Sequence, residues 1–530
     1  MEPKFSSCRG VSFEIKTSSK QEPSPSGRWV WLPWSQPAPS KVFPTSDLNR
    51  TTSIASSHFC DLSDEENDDE EEEVVVPDLE LQVEQKPPET IDRKVPKPRS
   101  ESRLSIILLD QGLFTVYKRL FAVCFVINVT MLALAVAGHF SYAKKRAALF
   151  SMGNILALTL CRSEAVLRVV FYLAVKLLGR AWVPLRIKTA TTAFLQSLGG
   201  IHSGCGVSSV AWLVYALVLT LRHRDETSNL IVAAASAILA LLALSCLAAF
   251  PLLRHLHHNA FERTHRFAGW SALALLWVFV LLTLGYNPAT KSYNNLKFSN
   301  LVKQQEFWFT LAITFFIVLP WLTVRRVPVS VAAPSTHASI ITFARGIQPG
   351  LLGRISRSPL SEWHAFGIIS DGKDGHMMLA GAVGDFTRGL VSSPPRHLWV
   401  RGVRFAGLPY LVNMYQRVVL VATGSGICVF LSFLLQPCAA EVCLIWVTKG
   451  VEENFGKEIK EMMSGHPRER VIVHDTAVSG RPNVANMTVE AAKRWKAEVV
   501  VVTSNPQGSR DVVTACKKAG IAAFGPIWDS

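Results

Sequence analysis

The string VATGSGICVFLS (421–432) places Gly424, Ser425 and Gly426 in a turn that follows a strand-like run and opens a helix-like one. Glycines in that context lack the Cβ atoms that would hold a pyrophosphate away from backbone N–H groups. Charges also fall where they are expensive. Arg162, Glu164 and Arg168 lie inside the apolar run Ala148–Leu178, where each should face a helix bundle and find a partner. A spacing of four makes Glu164 the expected partner of Arg168. Such a set serves as an ion pair that locks packing, or as part of a transport path. His255, His257 and His258 cluster in a basic segment that reads as a solvated, lipid-facing loop. The ten cysteines are scattered singly, so neither a disulfide framework nor a zinc site is legible, which suits a cytosolic soluble part.

The elements that must position these residues follow from composition. The chain has 530 residues, 49% of them hydrophobic, with a mean hydropathy of +0.24, which points to membrane spans. Charge is unevenly placed: residues 1–110 hold 21 of the 41 acidic residues and 13 of the 55 basic ones. The remainder, 42 basic against 20 acidic, fits cytosolic loops beside anionic lipid better than nucleic-acid binding, since no recognition motif accompanies it. The run DLSDEENDDEEEE (61–73) repels itself, so residues 1–110 read as a disordered acidic tail that can dock a protein partner. No secretory signal is visible at the start.

Six apolar runs follow, near Leu120–Phe140, Ala148–Leu178, Ala190–Leu221, Leu230–Phe250, His265–Tyr286 and Phe307–Leu322. They predict a six-span helical domain over 111–326, the second and third runs being long enough to tilt or break. An N-terminus-in arrangement puts most basic residues in the cytosol, with Lys144, Lys145 and Arg146 as exceptions. Residues 327–413 alternate in short apolar stretches broken by Gly and Pro, which suggests a small β-barrel. From 414 to 530 strand-like and helix-like runs alternate, which predicts a parallel sheet covered on both faces.

Taken in order, EWHAFGI (362–368), GDFTRGL (384–390), VRGVRFAG (400–407), VATGSGICVFLS (421–432) and SGRPNV (479–484) resemble the motifs of the ferric reductase and NADPH oxidase superfamily. The strings GNILALTLCRSEAVLR, GGIHSGCG and NAFERTHRFAGW make the chain most similar to TmpA-like integral membrane flavoproteins. Relatives of that kind include proteins labelled adenylate-forming reductases, but no adenylation-domain motif is present here. The resemblance implies a ferredoxin-reductase-like module, a flavin-binding-like barrel followed by an NAD(P)H-binding-like α/β domain. It implies FAD held near Trp363, His364 and Phe366, with Arg354, or Arg357, by position at the diphosphate. It also implies NADPH on the Gly424–Gly426 turn with Lys449 and Arg481 at the 2′-phosphate, and Trp528 as a terminal aromatic on the flavin. Three positions depart from the pattern. Ala365 stands for Pro, Gly367 for the Thr or Ser that meets the flavin ring, and the string TSNP (503–506) for a Cys-containing one.

The family holds two haems through histidine pairs 13 or 14 residues apart, roughly 20 Å along a helix. Here His265 has Val278 at that spacing, and His202 has Lys188 before it and Ala216 after it. At most one haem, between His202 and His265, is then available, and a two-haem relay across the membrane is not expected. Two readings follow. One is a membrane-anchored flavoprotein oxidoreductase using NAD(P)H on the cytosolic side, with a small unknown electron acceptor. The other is a catalytically degenerate, reductase-like scaffold or signalling protein. Span lengths suit the plasma membrane and the endoplasmic reticulum equally.

Overall fold

The computed structural model describes residues 6–8, 11–13, 115–250, 253–254, 257–293 and 298–527. By itself, the N-terminal unit shows one antiparallel pair, β1 (Ser6–Cys8) and β2 (Val11–Phe13). The rest of the expected acidic tail lies outside the described residues, as do His255 and Trp528.

The helical half runs α1 (Val116–Val136), α2 (Ala147–Leu160), α3 (Glu164–Leu178), α4 (Leu185–Gln196), α5 (Gly199–Arg222), α6 (Asn229–Ala248), α7 (His258–Gly285) and α8 (Gln305–Leu322). Five of them, α1, α5, α6, α7 and α8, are long and apolar enough to cross a membrane. The six-span expectation therefore needs correction at the second run. That run breaks at the turn Cys161–Ser163, leaving α2 with 14 residues, about 21 Å at 1.5 Å per residue. The third run breaks at Ser197–Leu198. The physical reason lies in α3, one apolar face of which packs on the strands that follow and not in the helical bundle. Phe171 is buried in the core of the soluble half, while Val169, Tyr172, Leu173 and Leu177 are exposed. Helix α5 is central to the bundle, packed on α1, α2 and α6, with α7 against α6 and α8 against α2.

Two antiparallel sheets follow. One holds β3 (Val324–Pro328), β6 (Leu351–Ser356), β7 (His364–Gly367), β9 (His397–Arg401) and β10 (Phe405–Ala406); the other holds β4 (Ser330–Ala332), β5 (Ala338–Ala344) and β8 (Gly375–Gly381). An Ile369–Met377 bridge stitches them together around a shared apolar core. The third sheet is parallel, in the order β13-β12-β11-β14-β15: β11 (Arg417–Thr423), β12 (Glu441–Thr448), β13 (Val471–Asp475), β14 (Val499–Thr503) and β15 (Ala523–Phe524). Runs such as VVLVA and VVVV form its centre because parallel strands are buried on both faces. Barrel and sheet share one core, and Thr192 of α4 meets Tyr415 at 2.7 Å between their hydroxyls.

Within that core His376 is buried and stacked on Phe343 at 4.9 Å, its Nδ1–H donating to the Arg345 carbonyl at 2.6 Å. Burial pushes its pKa down to about 4, and Arg404 opposes its charge further. The unfolded chain takes up a proton near pH 6.5 and the folded chain does not, so this contribution is complete above pH 6.5 and is lost as pH falls towards 4. It amounts to roughly 3 kcal/mol. His376→Gln should flatten the acid limb of a stability–pH curve relative to the parent; an unchanged acid limb would show that the imidazole stays charged in the fold.

Candidate functional site

The loop after β11 occupies the switch point of the parallel sheet, between β11 and β14, where α/β folds bind ligands. Gly424 has a φ of +51°, and its carbonyl accepts the indole N–H of buried Trp446 at 2.8 Å. Gly424, Ser425 and Gly426 are all buried. The segment expected to be a long helix is one 3-10 turn (Gly424–Val429) and four α-helical residues (Ser432–Leu435). It is pinned to the barrel instead. The Ser432 hydroxyl donates to the Ile368 carbonyl at 2.7 Å and accepts from Ser370 N at 3.0 Å. Across the switch point the Thr423 and Ser504 hydroxyls meet at 2.8 Å.

Lys449 and Arg481 are both exposed, Lys449 directly after β12 and Arg481 six residues beyond β13. Those strands are paired with Thr448 opposite Asp475, so the two cations follow the same sheet edge. Helix α10 (Val451–Met463) begins there, but Asp475 takes two N–H groups at its start, and Glu452 and Glu453 put negative charge on its first turn. Asp475 accepts from Gly450 N at 2.8 Å and Val451 N at 3.0 Å. Partial burial works against its ionisation, yet three backbone N–H donors hold this carboxyl below its ordinary value. A phosphate at this edge therefore meets side-chain cations, not a helix terminus.

The flavin-strand residues are brought together on each other. Helix α9 (Asp385–Ser392) supplies Phe386, which stacks on His364 at 4.0 Å and on Phe366 at 6.4 Å between centroids. Trp363 is buried, its indole donating to the Pro359 carbonyl at 3.1 Å, with the Arg401 guanidinium 4.9 Å above its ring. A Cβ on Gly367 would lie 2.6 Å from Val429 Cγ1 and 2.8 Å from Val429 Cα and N. The place where the resemblance implies a hydroxyl is filled by backbone from the β11 loop. These residues do not fit an isoalloxazine ring in this arrangement.

Arg354 is also committed elsewhere. Its Nε–H donates to Glu164, whose same oxygen receives Arg401 Nη1 at 2.8 Å. The diphosphate role expected of Arg354 gives way to a clamp between α3 and the barrel. The Glu164–Arg168 pair is likewise overturned: Arg168 contacts Gln348 Oε1 at 3.5 Å and lies over Tyr410 at 4.9 Å. Two guanidiniums from the barrel outcompete one on the carboxylate's own helix. The first turn of α3 gave a local cue, but partners about 190 and 237 residues away leave no periodic trace.

His202 of α5 and His265 of α7 do reach one place, a cavity of about 730 Å³ among the helices that is closed on one side by Arg401. The His202 Nδ1–H donates to the Leu158 carbonyl at 3.1 Å. Arg162, expected to face the bundle but not to join the histidines, lines the same cavity and is the charged neighbour common to both imidazoles. The same lining holds one carboxylate, Glu164, which Arg354 and Arg401 already engage. The donor set offers an anion a guanidinium, and offers the iron of a haem at most the two imidazoles. Among the described residues no group of three or more His, Cys, Asp or Glu could hold a metal ion.

Comparison with known proteins relates the chain to reductases. Residues 408–530 match the family described as "Adenylate-forming reductase 03009, C-terminal domain". Adenylate-forming reductase 03009 of Coprinopsis cinerea is 35% identical over 436 residues, 80% of this chain and 41% of the relative. Adenylate-forming reductase 06235 of the same fungus is 34% identical over 437 residues, with the same coverage of 80% and 41%. The chain thus spans about two fifths of the length of the curated relatives it matches. Among solved structures, ferredoxin-NADP+ reductase from Plasmodium falciparum superposes with a TM-score of 0.30 at 10% identity, covering 38% of this chain and 95% of that one. The ferredoxin reductase of carbazole 1,9a-dioxygenase gives 0.29 at 12% identity, covering 38% and 69%. By sequence, the chain is similar to one portion of proteins named as reductases.

Proposed function

We propose that the chain is a membrane-anchored oxidoreductase that binds a reduced nicotinamide dinucleotide on its cytosolic α/β domain and reduces a small acceptor, without a flavin seated on β7. One observation carries the reading: the Gly424–Gly426 turn ends β11 at the switch point, while Lys449 and Arg481 follow the next two strands on the same edge. The turn accommodates the pyrophosphate and the two cations favour a 2′-phosphate, hence NADPH over NADH. Bound there, the dinucleotide supplies hydride; the protein's residues orient it and keep the turn dry. The five long apolar helices serve as the anchor.

Gly426→Val should abolish NADPH binding and NADPH-dependent dye reduction while protein level is unchanged. Lys449→Ala with Arg481→Ala should reduce the preference for NADPH over NADH by roughly tenfold or more, one charge-assisted phosphate contact or its equivalent. Isothermal titration of the full chain in detergent with both nucleotides reads the two effects. Activity retained in Gly426→Val removes this site from the function.

A second reading, a reductase-derived cap or scaffold, is favoured by the contact of Val429 with Gly367. Visible absorption and nucleotide titration separate the two. A protein that binds NADPH and reduces a dye supports the oxidoreductase; a folded protein that does neither supports the scaffold.

A further inference from the structure

We propose that the helical cavity binds an anionic amphiphile, its carboxylate or phosphate head at Arg162 and its apolar tail between α5, α6, α7 and α8. The cavity, about 730 Å³, is within the size range of pockets that enclose small ligands. Among the described residues its charged lining is Lys118, Arg162, Arg254, Arg266 and Arg401 with one carboxylate, Glu164, Lys118 and Arg254 having contacts of their own. Glu164 is already engaged by Arg354 and Arg401, and Arg266 by Glu262 and the carbonyls of Leu360 and Ser361. Arg162 has no ion-pair partner among the described residues, although it is accessible and densely surrounded. Exposed to that space, its guanidinium can receive an anionic head without displacing another partner. His202 and His265 line the same space, and with Nδ1–H committed to Leu158 the His202 Nε2 is left as a hydrogen-bond acceptor.

The tail region is open. A Cβ on Gly269, which lines the cavity from α7, would meet no atom within 4 Å, and one on Gly206 of α5 would find only Cys246 Sγ, at 4.0 Å. Leu242, Leu273, Ile313 and Phe316 supply apolar wall. Polar groups thus gather at the end nearest the barrel and hydrocarbon at the other, the pattern of a molecule with one charged end. This assignment does not depend on nucleotide binding by the α/β domain.

The test uses the full chain in a neutral maltoside detergent, with a pyrene-labelled fatty acid as the fluorescent probe. Palmitate and palmitoyl lysophosphatidate should displace it, while methyl palmitate and inorganic phosphate should not. Displacement by palmitate alone assigns a fatty acid, and displacement by lysophosphatidate alone assigns a lipid phosphate; both support the proposal. Arg162→Gln should weaken probe binding about tenfold or more, the loss of one charge-assisted contact. Gly269→Phe should remove binding by filling the tail space, with the unfolding temperature unchanged. If Arg162→Gln does not fold, Gly269→Phe and the ester comparison still decide. Equal binding of methyl palmitate, equal competition by inorganic phosphate, or full binding by Gly269→Phe would overturn the proposal. So would a Soret band in the purified protein that disappears in both His202→Ala and His265→Ala, which would give the cavity to a haem.

Discussion

Glu164→Gln should destabilise the full chain by about 3 kcal/mol, the lower end of the cost of removing one partner from a buried ion pair. The carboxylate is 6% exposed and one of its oxygens serves both Arg354 and Arg401. Taking its charge away leaves two guanidiniums of the barrel side by side at its junction with α3. Burial already lowers the pKa of Arg401, Glu164 restores part of that loss, and Arg354 opposes it. Two features keep the cost from rising further. The Arg354 side chain retains 33% of its exposure, and each guanidinium rests on a ring, Arg354 on Phe405 at 5.2 Å and Arg401 on Trp363 at 4.9 Å. Arg168→Gln is the internal comparison. It loses only a 3.5 Å contact with Gln348 and a cation–π contact with Tyr410, worth about 1 kcal/mol or less. Thermal unfolding of both variants in the same detergent measures the difference. Equal stabilities would mean that Glu164 does not hold the helical half to the barrel.

The second large effect concerns Gly367. Gly367→Ser restores the residue type the resemblance implies at the flavin ring, yet it should neither recruit FAD nor be tolerated. The new Cβ would lie 2.6 Å from Val429 Cγ1 and 2.8 Å from Val429 Cα and N. Overpacking of this kind costs about 1–3 kcal/mol, and the upper end applies because two of the three atoms are backbone. That backbone cannot withdraw easily while Ser432 bonds both Ile368 and Ser370. Adding Val429→Gly removes the 2.6 Å contact but not the other two, so it should recover only part of the loss. Unfolding curves, and absorption spectra after incubation with FAD, test both statements. A stable, yellow Gly367→Ser protein would show that the seat opens readily and would restore the flavin to the mechanism.

Much of the element order was readable from local pattern. The apolar stretches around α1, α5, α6, α7 and α8 announce themselves by length, and VVLVA and VVVV by unbroken hydrophobicity. The string EWHAFGI does contain a strand, β7, and VATGSG does run from strand into turn. The second apolar run misled because α2 and α3 are both apolar, and hydropathy does not separate a bundle helix from one packed on a barrel. The ICVFLSFLL segment reads as a helix because all its residues but Ser432 are hydrophobic. Its burial against the barrel holds it to a 3-10 turn and one short helix.

Arg354 shows the limit on site residues. Its position beside the flavin strand suggested a diphosphate, and nothing in its neighbourhood in the sequence reveals Glu164, 190 residues away. The apposition of Gly367 and Val429 is equally silent, since a missing side chain in one strand says nothing about which backbone will occupy the space. His202 and His265 were recognisable as a pair only by type. Their shared cavity, and Arg162 within it, required the packing of seven helices to be in place.

The amino-acid sequence by itself determined the kinds of element and their order, apolar helices first and strands alternating with helices last. Hydrophobic periodicity is a local property, written into every window of the chain. The tertiary structure alone decided which charges meet, whether the seat beside Gly367 is open, and what the two histidines face. Those outcomes turn on approaches of a few tenths of an ångström between residues from 62 to 237 positions apart, and only packing brings such residues into contact.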